Sequence, residues 1–565
     1  MAATPTTGAT RAPPSPPPGA PAAKKVRLDV STGSRAKPTK RQSKKQKRND
    51  LPEAYSADDV LWREIKEILG AEYVDSAVEQ GTDRQSPFEY HQELEMQVVA
   101  IGSSGNALAT SSESSRPWVA VVPFCVTGET VRVRVYRNAR LHSFADLLEV
   151  VTPNPAFRND SLVQCKYFGT CGGCQYQMLP YEKQLDLKRD VVVKAYKNFS
   201  DIPPSLMPTI ESTMPSPLQY NYRTKITPHF EAPTKTQRND PKNPKNDTDK
   251  PEWFSIGFNR VGTHKVIDIE DCPIATPVIR KTLPSVRANA IKNLYTYKKG
   301  VSLILRDSLP LPSHPAVSTP AELASEPQQN ICVTDHRGRI REPVGAQVFE
   351  YPASSFFQNN NAVLPSLTSY VRSCIFSDIN EERKLTHLVD AYCGAGLFAI
   401  SLAPSFVRVA GIELSAESIA AATTNAALNA LPPSSPSPDN VNTEITFRAG
   451  DAANIFSSVP DFPPAETALV IDPPRKGCDE PFIEQLLRFG ARTVVYVSCN
   501  VHTQARDVGM ILKRSELGSL GGKGKRYVLE SVRGFDLFPQ TAHVESVAVL
   551  RLVDSGEGDG GGCSK

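Results

Sequence analysis

The chain of 565 residues has room for roughly two to four domains, each able to bury its own core. Apolar residues at 40%, charged residues at 22% and a net charge of +3 are ordinary for a soluble globular protein. No stretch approaches the roughly 18 consecutive apolar residues of a membrane span, and the N-terminus lacks the apolar core of a secretory signal. The eleven cysteines therefore point to thiol chemistry or metal ligation in a reducing compartment, not to a disulfide framework.

Residues 1–52 are rich in Pro, Ala, Thr, Ser and Lys and too poor in aromatic residues to fold, so they read as a disordered basic arm. Two clusters within it, Lys24-Lys25-Val26-Arg27 and KPTKRQSKKQKR (37–48), have the spacing of a bipartite nuclear import signal or an RNA-contacting arm; a plain solvated tail is the alternative. The prolines oppose the amphipathic helix of a mitochondrial presequence, which leaves nucleus and cytoplasm as the expected compartments. Segment 53–86 has helical spacing and predicts a peripheral helix or two. From 87 to 152, short strands separated by turns predict a small β-barrel. In Val131-Arg132-Val133-Arg134-Val135-Tyr136-Arg137 the alternation places arginines on one strand face, a basic stripe of the kind that grips RNA.

Region 153–350 reads as a cysteine cluster and a β-rich central domain, interrupted by two polar, Pro-rich inserts without fixed structure at 231–252 and 308–329. In CKYFGTCGGCQYQ, Cys165, Cys171 and Cys174 are separated by five and two residues, and Cys272 stands in the polar-flanked DIEDCPIA. The Gly172-Gly173 turn lets neighbouring thiolates converge. Four thiolates hold either a [4Fe–4S] cluster or a structural zinc ion. The spacing departs from the paired C-x2-C knuckles of zinc ribbons and favours iron–sulfur.

Residues 351–553 alternate strand and helix, which predicts a parallel α/β sheet, with a flexible tail over 554–565. The strand LTHLVD leads into Ala391-Tyr392-Cys393-Gly394-Ala395-Gly396, a turn whose glycines let a ligand approach the backbone at a helix start. The next strand, VRVAGIEL, carries Glu413, 19 residues after Gly394, where an acid accepts the ribose hydroxyls of a nucleoside cofactor. Asp451 ends a third strand, where adenine would be edged. No phosphate-cradling Lys follows the glycines, so S-adenosylmethionine fits better than ATP. A nicotinamide dehydrogenase would need a true G-x-G-x-x-G. TVVYVSC places Cys499 at the lip of the sheet, and a Cys there is more often a small core residue than a nucleophile. The nearby Asp472-Pro473-Pro474 and His543-x-Glu545 reverse that preference.

These segments closely resemble the RNA uracil-5 methyltransferase family over about residues 90–553. The resemblance rests on SSFFQNN (354–360), DAYCGAG (390–396), IDPPRKG (471–477), VSCN (497–500) and FDLFPQTAHVES (535–546). It implies a class I S-adenosylmethionine-dependent methyltransferase domain of Rossmann-like α/β fold ending in an antiparallel hairpin, a β-rich central domain and an N-terminal TRAM/OB-like β-barrel. It further implies Gln358, Tyr392, Glu413 and Asp472 as cofactor contacts, Cys499 as nucleophile and Glu545 as general base, oriented by His543. Leu397 stands where some relatives carry a polar cofactor contact. Cys393 reads as packing under the cofactor loop. Cys478 would matter in an RNA cytosine-5 methyltransferase, but the Pro-Cys pair of that design is missing after Asp472. The implied activity is methyl transfer to C5 of a uridine through a cysteine adduct at C6, by a monomer acting on the T-loop uridine (position 54) of tRNA. Ribosomal RNA is the second candidate substrate, and a non-catalytic RNA-binding or folding factor is the competing reading.

Overall fold

The structure is a computed structural model and describes residues 51–238, 250–311, 329–377, 384–430, 443–450, 452–517 and 524–554. The basic clusters of the N-terminal arm, residues 239–249 and 312–328 of the two Pro-rich inserts, Asp451 and the tail after Asp554 lie outside the described residues.

Two helices come first, α1 (Ala57–Leu69) and α2 (Ala71–Glu79), separated at Gly70, whose φ of 86° breaks the helical path. They bury Ile65, Val74 and Ala77 in one core with a closed five-stranded barrel. Its strands β1 (Glu93–Ile101), β2 (Ala107–Thr110), β3 (Val119–Val122), β4 (Thr130–Asn138) and β5 (His142–Thr152) close in the order β1-β2-β3-β5-β4. The period-two pattern of β4 is visible in its burial: Val131, Val133 and Val135 are fully inside. The expected basic stripe on its other face is corrected by the register. Arg132 pairs with Glu149 and Arg134 with Asp146 (3.9 Å) on β5, while Glu95 and Glu93 oppose the same two arginines from β1. The arginines stand on one face as expected, but carboxylates lie directly across the ladder from Arg132 and Arg134, and such opposite charges stabilise the sheet.

Next come the long helix α3 (Tyr181–Phe199) and strand β6 (Glu211–Met214), followed by a central region of short strands. Strands β7 (Lys225–Ile226), β8 (His229–Phe230), β9 (Gly257–Asn259), β10 (Val266–Asp268), β11 (Val301–Ser302), β12 (Leu305–Ser308) and β13 (Ile331–Val333) form two small sheets around α4 (Pro277–Lys292). A hairpin of β14 (Arg339–Val344) and β15 (Gln347–Pro352) then leads into α5 (Leu364–Phe376).

From there strand and helix alternate: β16 (His387–Ala391), α6 (Leu397–Leu402), β17 (Arg408–Glu413), α7 (Ala416–Leu428) and β18 (Glu444–Ala449). The second half runs β19 (Thr467–Ile471), α8 (Glu480–Phe489), β20 (Thr493–Ser498), α9 (Val501–Glu516), β21 (Lys525–Phe535) and β22 (Glu545–Asp554). The sheet order is β18-β17-β16-β19-β20-β22-β21-β6, parallel from β18 to β20 and closed by the antiparallel hairpin β21–β22. Strands β19 and β20 are buried at every position, which is why they read as unbroken apolar runs. Helix α8 shows how local signals set an element. Asp479 caps it by accepting from the Phe482 amide at 3.0 Å, Gly490 ends it in the left-handed region, and Phe482, Ile483, Leu486 and Leu487 form its buried stripe.

Two elements from before the central region complete this sheet layer. Strand β6 pairs in parallel with β21, and α3 shares a core with α9 through Val192, Ala195, Phe199, Val501, Ala505 and Val508. Among the described residues no helix is long and apolar enough to cross a membrane.

Candidate active site

The strand order reverses between β16 and β19, so their carboxyl ends frame the crevice where ligands bind in open α/β sheets. The turn after β16 carries Tyr392 at φ 64°, Gly394 at 53° and Gly396 at 91°. A side chain at Gly394 would meet nothing within 4 Å, so the turn opens onto free space at the start of α6. Glu413, half-buried at the tip of β17, accepts from the Gly394 amide at 3.3 Å and the Ser415 amide at 3.0 Å. These bonds hold its carboxylate at the mouth of the turn, where a ribose would lie. Beneath the turn Asp390 is wholly buried, accepts from the Ala399 amide at 2.7 Å, and is pushed by burial up to about 7. Cys393 is buried below the same turn, and Asp451 lies outside the described residues. The residues present fit a nucleoside cofactor: an open glycine turn and a carboxylate at the tip of the second strand.

A second set of side chains meets at the ends of β19, β20 and β22. Ser498 pairs with Ser546 across the β20–β22 ladder, so the next position on each strand is Cys499 and Glu545. Burial, then the Glu545 and Asp472 carboxylates, push the Cys499 thiol up to about 11, against the pull of a hydrogen bond and charge from Arg475. Asp472 is only partly covered at its own surface, yet densely surrounded. Burial, with Glu545 and Asp390 nearby, holds its carboxyl well above the usual range. The Glu545 and Asp472 carboxylates thus both oppose ionisation of the Cys499 thiol. His543 places Nε2 3.5 Å from Glu545 Oε1, in the orienting position expected for it.

Arg475 was not singled out from the sequence, although IDPPRKG contains it. Its role depends on neighbours distant in the chain: Asn500 Nδ2 and Thr503 Oγ1 donate to its carbonyl at 2.9 and 3.1 Å. Cys478 is buried, with its thiol 3.9 Å from the Tyr496 hydroxyl, and forms part of the wall behind the site.

Gln358, buried on the segment after β15, is held from both sides. Arg306 on β12 is wholly buried and donates Nη1 to the carbonyls of Ala353 (3.1 Å) and Ser355 (2.8 Å). Its guanidinium covers the Tyr351 ring at 4.6 Å, and the Tyr351 hydroxyl donates to Glu342, which burial pushes up to about 7. Asn360 Nδ2 donates to Ser216 Oγ and to the Leu537 carbonyl, each at 3.0 Å, and so ties this segment to the loop that precedes Glu545. Phe356, also missed from the sequence, stands 74% exposed here, an aromatic face open to a base.

The cysteines form a separate centre. Cys165, Cys171, Cys174 and Cys272 line one cavity of about 230 Å³ with Arg223 and Asp271 at its wall. Burial raises all four thiols, and neighbouring thiols raise Cys171, Cys174 and Cys272 further. Among the described residues no group of three or more His, Cys, Asp or Glu is close enough to hold a metal ion as it stands. The donor chemistry still fits one: four soft thiols around a single void suit iron–sulfur or zinc and no hard cation.

Comparison with known proteins agrees with this geometry. The family described as tRNA (Uracil-5-)-methyltransferase matches residues 328–552. The tRNA (uracil(54)-C(5))-methyltransferase of Schizosaccharomyces pombe is 41% identical over 484 residues, 85% of this chain and 82% of that protein. The protein of the same name from Saccharomyces cerevisiae is 36% identical over 502 residues, 84% of this chain and 76% of its own. Among solved structures, the Pyrococcus abyssi tRNA (uracil-54, C5)-methyltransferase in complex with S-adenosyl-L-homocysteine shares the fold at a TM-score of 0.53. It is 22% identical, and the match covers 80% of this chain and 99% of that one. With these relatives and the matched catalytic region, the chain belongs to the tRNA (uracil-5-)-methyltransferase family.

Proposed function

We propose that the chain transfers the methyl group of S-adenosylmethionine to C5 of uridine 54 in the T-loop of tRNA through a covalent adduct at Cys499. The observation that carries this reading is the placement of Cys499 and Glu545 at adjacent strand ends, with Asp472 within electrostatic range of both. The names of the 41% and 36% identical relatives favour uridine 54 over a ribosomal site.

The chemistry suits the residues. The Cys499 thiol loses its proton to solvent water, which leaves Glu545 unprotonated for the later step, and the sulfur bonds to C6, which concentrates enolate character on C5. C5 then bonds to the sulfonium methyl as the methyl–sulfur bond breaks, and S-adenosylhomocysteine leaves. Glu545 takes the C5 proton, the C5=C6 double bond reforms, and the C6–S bond breaks to return the thiolate. Arg475 supports the thiolate at both ends of the cycle. Glu413 and the glycine turn orient the methyl donor, with Gln358 and Tyr392 as further contacts. The target uridine leaves its stack to reach the sheet lip, at a cost of about a few kcal/mol that is least in a loop.

Three further assignments accompany this one. The cysteine cavity holds a [4Fe–4S] cluster, with zinc as the alternative, and such a group would brace the loops on which the four thiols stand. The five-stranded barrel serves as a TRAM-like RNA-binding module, through a face other than the paired stripe of β4. The enzyme acts as a monomer in nucleus or cytoplasm. Incubation of the purified protein with S-adenosylmethionine and unmodified tRNA, followed by nucleoside mass spectrometry, should give 5-methyluridine at position 54. Product in ribosomal RNA alone, or 5-methylcytidine, would contradict the assignment.

A further inference from the structure

Helix α3 lies outside the catalytic domain in sequence, yet one of its faces is devoted to the loop that delivers Glu545. Tyr181, Gln184 and Lys188 follow one another at spacings of three and four, so they share that face. All three bond the loop 536–540. The Tyr181 hydroxyl donates to Asp536 Oδ2 at 2.9 Å and accepts from the Ser216 amide at 2.8 Å. Gln184 accepts from the Gln540 amide at 3.0 Å and donates to the Gln540 side chain at 3.1 Å. Lys188 Nζ bonds Asp536 Oδ1 and donates to the Phe538 carbonyl at 3.0 Å.

Lys188 and Asp536 have no exposed side-chain surface, and Gln184 and Gln540 are almost fully buried. A buried ion pair recovers little more than its desolvation cost, and an apolar pair of the same volume would stabilise the fold as well or better. Stability therefore does not explain why a lysine stands here. Position does: Gln540 is held at φ 70°, a conformation a non-glycine residue keeps only when its surroundings dictate it. Five residues later comes Glu545. Lys188 is also close enough to Glu545 for that carboxylate to act on its charge, while burial pulls the ammonium below its ordinary range.

We propose that Lys188 is a positioning residue for the elimination step: with Tyr181 and Gln184 it holds the loop 536–540 so that the Glu545 carboxylate meets the C5 proton of the adduct. The proposal rests on the reading of Glu545 as the base. Its consequence falls first on proton removal, because the loop leads directly to Glu545, while Cys499 and the glycine turn stand on other strands. The loop also bonds Asn360 on the Gln358 segment through the Leu537 carbonyl, so cofactor affinity is read beside the rates. The Lys188 side chain has no exposed surface, so it acts through the loop and not on the RNA directly.

The test uses the full chain, unmodified tRNA and methyl-labelled S-adenosylmethionine in single turnover. It compares wild type, Glu545→Gln and Lys188→Met, with S-adenosylhomocysteine affinity as the measure of an intact fold. In Lys188→Met the methyl should still be transferred, but release of methylated tRNA from the denaturation-resistant adduct should slow by roughly tenfold or more, as expected for a misplaced catalytic group. Methyl transfer and release that slow in parallel, or release at the wild-type rate, would overturn the proposal. If Lys188→Met loses cofactor binding, Tyr181→Phe is read in the same way. It should show the same selective delay at about threefold, and a parallel loss or none would overturn the proposal. A Glu545→Gln variant that binds S-adenosylhomocysteine but traps no adduct would remove the base assignment and this proposal with it; trapping by Glu545→Gln with wild-type release by Lys188→Met would overturn this proposal alone.

Discussion

The reactivity of Cys499 toward a small alkylating agent should rise about tenfold with each pH unit between 7 and 10 in the free enzyme. The thiol is pushed up to about 11 by burial and by the Glu545 and Asp472 carboxylates, so at pH 7 about one molecule in ten thousand carries the thiolate. Only the thiolate reacts, and its fraction climbs in proportion to hydroxide until the titration is reached. The neighbours fix the direction of two variants. Glu545→Gln removes a negative charge that opposes ionisation, and alkylation at a fixed pH of 8 should accelerate by about tenfold, the effect of roughly one pKa unit. Arg475→Met removes the cation that favours the thiolate, and alkylation should slow. Iodoacetamide labelling with peptide mass spectrometry at Cys499, sampled across pH, reads all three. A plateau below pH 8, or a Glu545→Gln variant labelled no faster than wild type, would refute the electrostatic picture of the site.

Cys499→Ala should abolish turnover while binding S-adenosylhomocysteine as wild type does, whereas Cys478→Ala, behind the site against Tyr496, should retain turnover; inactivity of the second variant would revive a two-cysteine mechanism. Gly509→Ala should destabilise the fold by about 1–3 kcal/mol in denaturant titrations, because a Cβ there would stand 1.8 Å from the Ser200 carbonyl oxygen where α3 crosses α9. An unchanged midpoint would contradict that close approach. Protein purified without oxygen should be brown and carry iron, and Cys174→Ser should bleach it; colourless, zinc-bearing protein would keep the four-thiol site and discard the cluster.

The catalytic sheet was readable because its signals are local. Parallel strands buried on both faces, such as β19 and β20, appear as unbroken apolar runs. The glycine turn, Asp472, Cys499 and Glu545 all sit at strand ends, where short motifs mark them. What was not readable depends on register and on tertiary neighbours. Arg132 and Arg134 look like a basic stripe until pairing places Glu149, Asp146, Glu95 and Glu93 beside them. Helix α3, YEKQLDLKRDVVVKAYKNF, falls in a region expected to be β-rich, and its Gln184 and Lys188 are inside because their partners arrive from more than 300 residues away. Arg306 is hidden for the same reason: a buried arginine has no sequence signature, and its acceptors are the carbonyls of Ala353 and Ser355. Arg475 stood within a recognised motif, but its action on Cys499 appears only once Asn500 and Thr503 fix its backbone.

The central claim is that Cys499 and Glu545 divide one reaction between addition and elimination. The most direct measurement is intact-mass and peptide mass spectrometry of Glu545→Gln after incubation with unmodified tRNA and methyl-labelled S-adenosylmethionine. Because an amide cannot accept the C5 proton, the account predicts a denaturation-stable protein–RNA adduct that carries the transferred methyl and maps to Cys499. Normal turnover, or the absence of any adduct in a variant that still binds S-adenosylhomocysteine, would contradict it.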